Sequence, residues 1–104
     1  MKNKMKYVIV RTCDNCIYAG YLKKKKYNEV VLMKCRQIKT FDYYMYGYIV
    51  LSQLAMEGAI NIKHPQFSIE TDNHTILNVG EIIPTTEKAK KSIQNFPKWR
   101  SENK

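Results

Sequence analysis

Two arginines and a pair of cysteines are the residues of this chain with the most chemistry to offer. Arg11 lies in the run Lys6–Thr12 (KYVIVRT), and Arg36 follows the run Glu29–Cys35 (EVVLMKC). A guanidinium presents a planar fork of donors, so arginines projecting from a sheet would clamp a phosphate or carboxylate. The same placement also suits a charge that keeps an edge strand soluble. Cys13-Asp14-Asn15-Cys16 matches C-x-x-C, the spacing of half a structural zinc site or of a redox dithiol. Zinc requires four ligands, and the remaining candidates are the isolated Cys35, His64 and His74. A redox pair opens a helix, whereas this one falls between two predicted strands. No nucleophile stands near either histidine, the carboxylates show no paired spacing, and no phosphate-binding loop is present. The expectation is a protein without catalysis, cofactor or metal.

Binding chemistry is better represented. Lys23-Lys24-Lys25-Lys26-Tyr27-Asn28 reads as a charged hairpin tip, suited to phosphate or simply to keeping an exposed loop hydrated. Phe41 to Tyr48 (FDYYMYGY) is rich in aromatics; Tyr43, Tyr44 and Tyr46 supply either stacking faces for bases or anchors for an interface. Arg11, Arg36, Lys39, Lys24 and Lys25, with these three tyrosines, form the predicted binding set.

The elements that must position them follow from pattern. Lys6–Thr12, Ile17–Lys23 and Glu29–Cys35 are β-branched or alternating and read as strands, with Gly20 marking a bulge and Gln37–Phe41 adding a fourth. Leu51, Leu54 and Ala55 share one face at helical spacing, and Gly58 suits a left-handed stop. Residues 61–73 read as a loop with a short strand near Gln66–Glu70, and Thr75–Ile83 as another strand ended by Pro84. Thr85 or Thr86 caps a second helix whose stripe is Ala89, Ile93 and Phe96, stopped by Pro97. The prediction is one α+β domain over residues 1–104, frayed at 1–5 and 98–104. It comprises a mainly antiparallel sheet of four to five strands, a short central helix and a C-terminal helix.

Composition bounds the rest. The 104 residues, 44% hydrophobic and 26% charged, suit one globular domain. No apolar run approaches the ~20 residues of a membrane span, and the apolar stretch after the first lysines is too short for a secretory leader. With an odd count of three cysteines, this points to free thiols and the cytoplasm. The net charge of +9 is uneven: residues 1–40 hold eleven Lys or Arg against two acids, while residues 41–80 hold one against four. Such a balance favours an acidic partner.

Several of these runs also carry a resemblance. Val8-Ile9-Val10-Arg11-Thr12, Gly20, Glu29-Val30-Val31-Leu32, Leu51 to Gly58 (LSQLAMEG) and Glu81 to Ala89 (EIIPTTEKA) stand in order over roughly residues 6–99. In that order they resemble a family of small phage and prophage proteins known mainly as a domain of unknown function. The chain departs from that pattern in three places. It has C-x-x-C in the first turn. Gln37, Lys39 and Phe41 stand where the pattern has an arginine and two tryptophans. About four residues are added after Asp42, making the tyrosine-rich run. The departures imply a rebuilt binding centre.

The resemblance implies a phage accessory role in a host cell's cytoplasm. The leading expectation is a counter-defence protein acting by stoichiometric binding, an anti-CRISPR-like inhibitor of a host CRISPR or nuclease effector. Its partner would be the effector protein or its guide RNA. The alternatives are a sponge for a cyclic nucleotide immune signal, with Arg11 and Arg36 on phosphates in a pocket completed by homo-oligomerisation, and a general nucleic-acid-binding accessory protein.

Overall fold

A computed structural model describes residues 5–40, 51–59 and 65–99. Its elements are β1 (Tyr7–Thr12), β2 (Ile17–Lys26), β3 (Glu29–Thr40), α1 (Leu51–Glu57), β4 (Pro65–Phe67), β5 (His74–Ile76), β6 (Val79–Pro84) and α2 (Glu87–Asn95). The class is α+β and the sheet is antiparallel throughout its strand pairs, but among the described residues it has six strands, in the order β4-β3-β2-β1-β6 with β5 also on β3.

β1 is a run of β-branched and aromatic residues because both of its faces are covered. Tyr7 and Ile9 point into a cluster with Ile17, Ala19, Ile38, Phe67 and the helix residues Leu51, Leu54, Ala55 and Ile93. Val8 and Val10 point the other way, into a second cluster with Val30, Leu32, Cys35 and Ile76. Period-two alternation sends successive side chains to opposite faces. The helices cover only the first.

Curling of the sheet covers the second face. β5 pairs with β3, and β6 pairs with β1, yet only Leu77 and Asn78 separate β5 from β6. The strands must therefore bend round until the outer edges of β3 and β1 nearly meet. Asn78 makes the corner in the left-handed region (φ 57°), a conformation asparagine tolerates better than most residues. The strand expected over Thr75–Ile83 is thereby split in two. The end of the β2–β3 hairpin closes the curl, where the Val79 N–H donates to Asn28 O at 2.8 Å.

Two bulges bend the long hairpin. Opposite Gly20 the partner strand carries one residue too many between Met33 and Arg36, and Lys34 takes φ 50°. Asp72 Oδ1 accepts from the Lys34 N–H at 2.9 Å and holds this kink. At Gly20 a Cβ would lie 2.9 Å from Met33 O and 3.1 Å from Cys35 Cα, so only glycine lets the strands approach this closely. A second register shift falls between Leu22 and Lys24. The first bulge reverses the inside–outside parity of β3. Val30 and Leu32 face the second cluster, whereas Arg36 and Ile38, at even positions too, face the helix side. It also joins the two strands expected over Glu29–Cys35 and Gln37–Phe41 into one.

α1 buries Leu51, Leu54 and Ala55 and ends at Gly58 (φ 86°), whose N–H donates to Leu54 O at 2.9 Å. Thr86 caps α2: its Oγ1 accepts from the Ala89 N–H at 3.0 Å and donates to Met56 O at 2.8 Å, tying the two helices together. α2 lays Ala89 and Ile93 on the core, and beyond its end Phe96 stacks on Phe67 at 4.5 Å.

Candidate functional site

Arg36 has a different task from the one its type suggests. Its side chain lies on the helix face of β3, 4% exposed, with the guanidinium 5.1 Å from the Phe67 ring centre. Nε donates to Ser68 O at 2.8 Å, and Nη1 donates to Ile93 O at 2.8 Å and to Phe96 O at 2.5 Å. Ile93 and Phe96 sit at the C-terminal end of α2, where carbonyls run short of intrahelical partners (Ile93 O takes a long 3.4 Å bond from the Phe96 N–H) and the helix dipole is negative. A buried cation answers both needs. Burial pulls the Arg36 pKa below its ordinary value, while Tyr7 and Glu70 act in the opposite direction. Through Nε and Nη1, Arg36 thus caps the end of the chain's own helix.

Arg11 is engaged as well, with other partners. β1 and β6 place it directly opposite Glu81, and Nε and Nη2 both lie 3.1 Å from Glu81 Oε1. Nη1 donates to Asn15 Oδ1 at 3.1 Å. The Glu81 pair is half exposed, so it is worth at most about 1 kcal/mol, yet with the Asn15 bond it ties the guanidinium to both β6 and the β1–β2 turn. The two arginines share no partner and do not form one clamp.

The lysines are disposed differently from the expected loop tip. β2 continues through Lys26, and the turn is narrowed to Tyr27 and Asn28. Lys23, Lys24, Lys25 and Lys26 are all exposed on the outer half of that strand. Lys23 Nζ donates to Asn73 Oδ1 at 2.8 Å. Among the described residues the ion pairs are Arg11–Glu81 and Lys90–Glu87, so this lysine run keeps its charge unneutralised there.

Lys39, exposed near the end of β3 opposite Gln66, borders a groove of about 230 Å³ lined also by Gln37, Gln66, Phe67, Ser68 and Trp99. Trp99 was missed by sequence reasoning, which assigned residues 98–104 to a frayed end. Its N–H donates to Phe67 O at 2.9 Å, and Lys98 bridges to Phe67 in parallel fashion, so the backbone there is an added rung of the sheet. The available signal was the only tryptophan of the chain set between Lys98 and Arg100, an interleaving of aromatic and cation. Tyr43, Tyr44 and Tyr46 lie outside the described residues, as does His64.

The cysteines are dispersed in environment: Cys13 is exposed, Cys16 intermediate and Cys35 buried. Burial pushes the Cys35 thiol up to about 12, with the Thr71 hydroxyl pulling the other way. His74 Nδ1 lies 2.8 Å from Thr71 Oγ1, and its ring packs edge-on to Tyr18. Among the described residues no three His, Cys, Asp or Glu side chains converge as a metal site would require. Nor is any described helix long and apolar enough to cross a membrane.

A family model described as Domain of unknown function (DUF6948) matches residues 5–93. No curated protein and no solved structure matches the chain.

Proposed function

We propose that this chain, which belongs to the DUF6948 family, is a non-catalytic protein that acts by stoichiometric binding of an anionic macromolecule. The observation that carries the reading is the strip Lys23–Lys26. Four exposed cations ride on a strand braced by β3, with no carboxylate in ion-pair range among the described residues. Held on a paired strand and alternating between its two faces, these charges attract an acidic partner with less ordering cost than they would on a loop.

The resemblance to small phage proteins supplies the biological setting. A phage accessory protein of this kind would serve counter-defence, with a host CRISPR or related nuclease complex as its target and either an acidic protein face or the guide RNA as the surface met. The cyclic-nucleotide sponge built on paired arginines is the less favoured reading, because Arg36 is buried and commits Nε and Nη1 to Ser68, Ile93 and Phe96.

The test is titration of the purified protein into a guide-loaded nuclease complex, reading target cleavage. Inhibition that saturates near one protein per complex, and that Lys24→Glu with Lys25→Glu abolishes, supports the reading. Full cleavage at excess protein, or inhibition unaffected by the double variant, overturns it. A general nucleic-acid binder would instead show affinity for free duplex DNA with a salt slope of about −0.9 per phosphate contacted.

A further inference from the structure

We propose that the groove between β3, β4 and the C-terminal segment is a nucleobase site, taking one base on Trp99 and its phosphate on Lys39. Trp99 is 56% exposed although its backbone is bonded to β4. A tryptophan on a loose tail is exposed by default. Here the backbone is held, and the neighbouring Phe96 is already stacked against the buried Phe67. The indole is therefore presented, not left over.

The lining fits one chemistry closely. An indole face offers stacking to any base, and the buried Phe67 fixes the strand that carries Gln66 beside it. The Gln37 and Gln66 side-chain amides each carry both a donor and an acceptor, matching the mixed edge that every base presents. Ser68 Oγ is committed to the Gln37 N–H and Ile69 O, so it braces the wall of the groove. Lys39 supplies a point charge for phosphate, in a chain whose net charge is +9. An acidic peptide would use the lysine and could bond the two amides through its backbone, but a nucleotide joins a flat ring for the indole to a phosphate for the lysine in one ligand. At about 230 Å³ the groove is smaller than the ~300–1,000 Å³ of drug-sized pockets. One base with its phosphate suits it; a larger folded ligand does not.

The ligand could be a free nucleotide or one position of a single strand, since both present a base and a phosphate. With a strand as ligand the inference deepens the proposed function by making nucleic acid the anionic partner, and it rests on residues separate from Lys23–Lys26.

Trp99 is the only tryptophan of the chain, so its emission reports this groove directly. The native protein is titrated with UMP, with a dT hexamer and with a blunt 12-base-pair duplex. Saturable quenching by UMP assigns the site to free nucleotides; quenching by the hexamer alone assigns it to a strand. No quenching by either overturns the proposal, as does stronger quenching by duplex than by hexamer.

Variants are read by anisotropy of a labelled ligand, the hexamer or a nucleotide according to which one quenches. Trp99→Ala should weaken binding roughly five- to hundredfold, and the exposed Lys39→Gln severalfold. Binding at parental strength in both variants refutes a stacking site. The Lys24→Glu, Lys25→Glu protein separates the two readings. If it still quenches with ligand yet no longer inhibits the nuclease, both stand. If nuclease inhibition is absent from the parent while quenching persists, only the proposed function falls.

Discussion

Replacing Arg36 with methionine should cost stability and leave surface binding untouched. The guanidinium makes three hydrogen bonds to the carbonyls of Ser68, Ile93 and Phe96, and it is almost wholly buried. A hydrogen bond involving a charged group nets about 1.5–3 kcal/mol, and a buried carbonyl left without a partner costs on the order of 1–3 kcal/mol. These contributions share one side chain and do not add. Methionine also keeps the aliphatic packing over Phe67, so the expected loss is about 2–4 kcal/mol. For a chain of this length that corresponds to a fall in Tm of about 10–20 °C. Arg36→Lys should recover only part of it, because an ammonium keeps the charge at the helix end but not the fork. The assay is thermal unfolding by circular dichroism, paired with urea titration to check that the m-value is unchanged. A methionine variant melting within about 3 °C of the parent while losing its ligand would refute the argument, and would return Arg36 to the anion-binding role its type suggests.

Gly20→Ala should destabilise by about 1–3 kcal/mol, because the new methyl group meets backbone that cannot yield; urea midpoints test this, and an unchanged midpoint would show that the hairpin can part there. Tyr7→Phe is expected to stabilise by about 1 kcal/mol: among the described residues Tyr7 Oη is buried without a hydrogen-bond partner, so a lower melting temperature would mean that the hydroxyl is bonded after all. Iodoacetamide at pH 8 should label exposed Cys13 and spare buried Cys35 in the folded protein, read by mass spectrometry of peptides; equal labelling would contradict the closed second cluster. The alkaline limb of stability follows from the same burial. Cys35 is raised from 9.0 to about 12 in the fold, so between those values the unfolded chain releases a proton that the folded chain keeps. Stability therefore falls as pH rises from about 9, at up to ~1.4 kcal/mol per unit, and a Cys35→Ala variant should show a shallower decline in its urea midpoint between pH 8 and pH 10.5.

The readings that held from sequence are those that depend on local pattern. KYVIVRT reads as a strand because β-branched and aromatic residues pack well on a pleated surface, and Gly20 reads as a bulge because a glycine in a strand marks close approach. Other readings failed where pattern is silent. The run Lys23–Lys26 has no apolar alternation, so nothing in it distinguishes a strand from a loop; only the register with Glu29, Val30 and Val31 makes it β2. Thr75–Ile83 reads as continuous, and the corner at Asn78 exists because β5 and β6 belong to opposite edges of a curled sheet.

The sequence by itself therefore determined the α+β class, the basic character of the first forty residues and the stock of cations and aromatics available for binding. Tertiary structure decided which of them face outward. One extra residue in β3 at Lys34 reverses the parity of the strand and turns Arg36 inward to the end of α2. A hydrogen bond from Trp99 to Phe67, thirty-two residues away in sequence, lifts an indole out of a tail that pattern alone marks as frayed. Periodicity reports the environment of neighbours along the chain, whereas the partner that satisfies a guanidinium or pins a backbone N–H is set by long-range closure, which no local window contains.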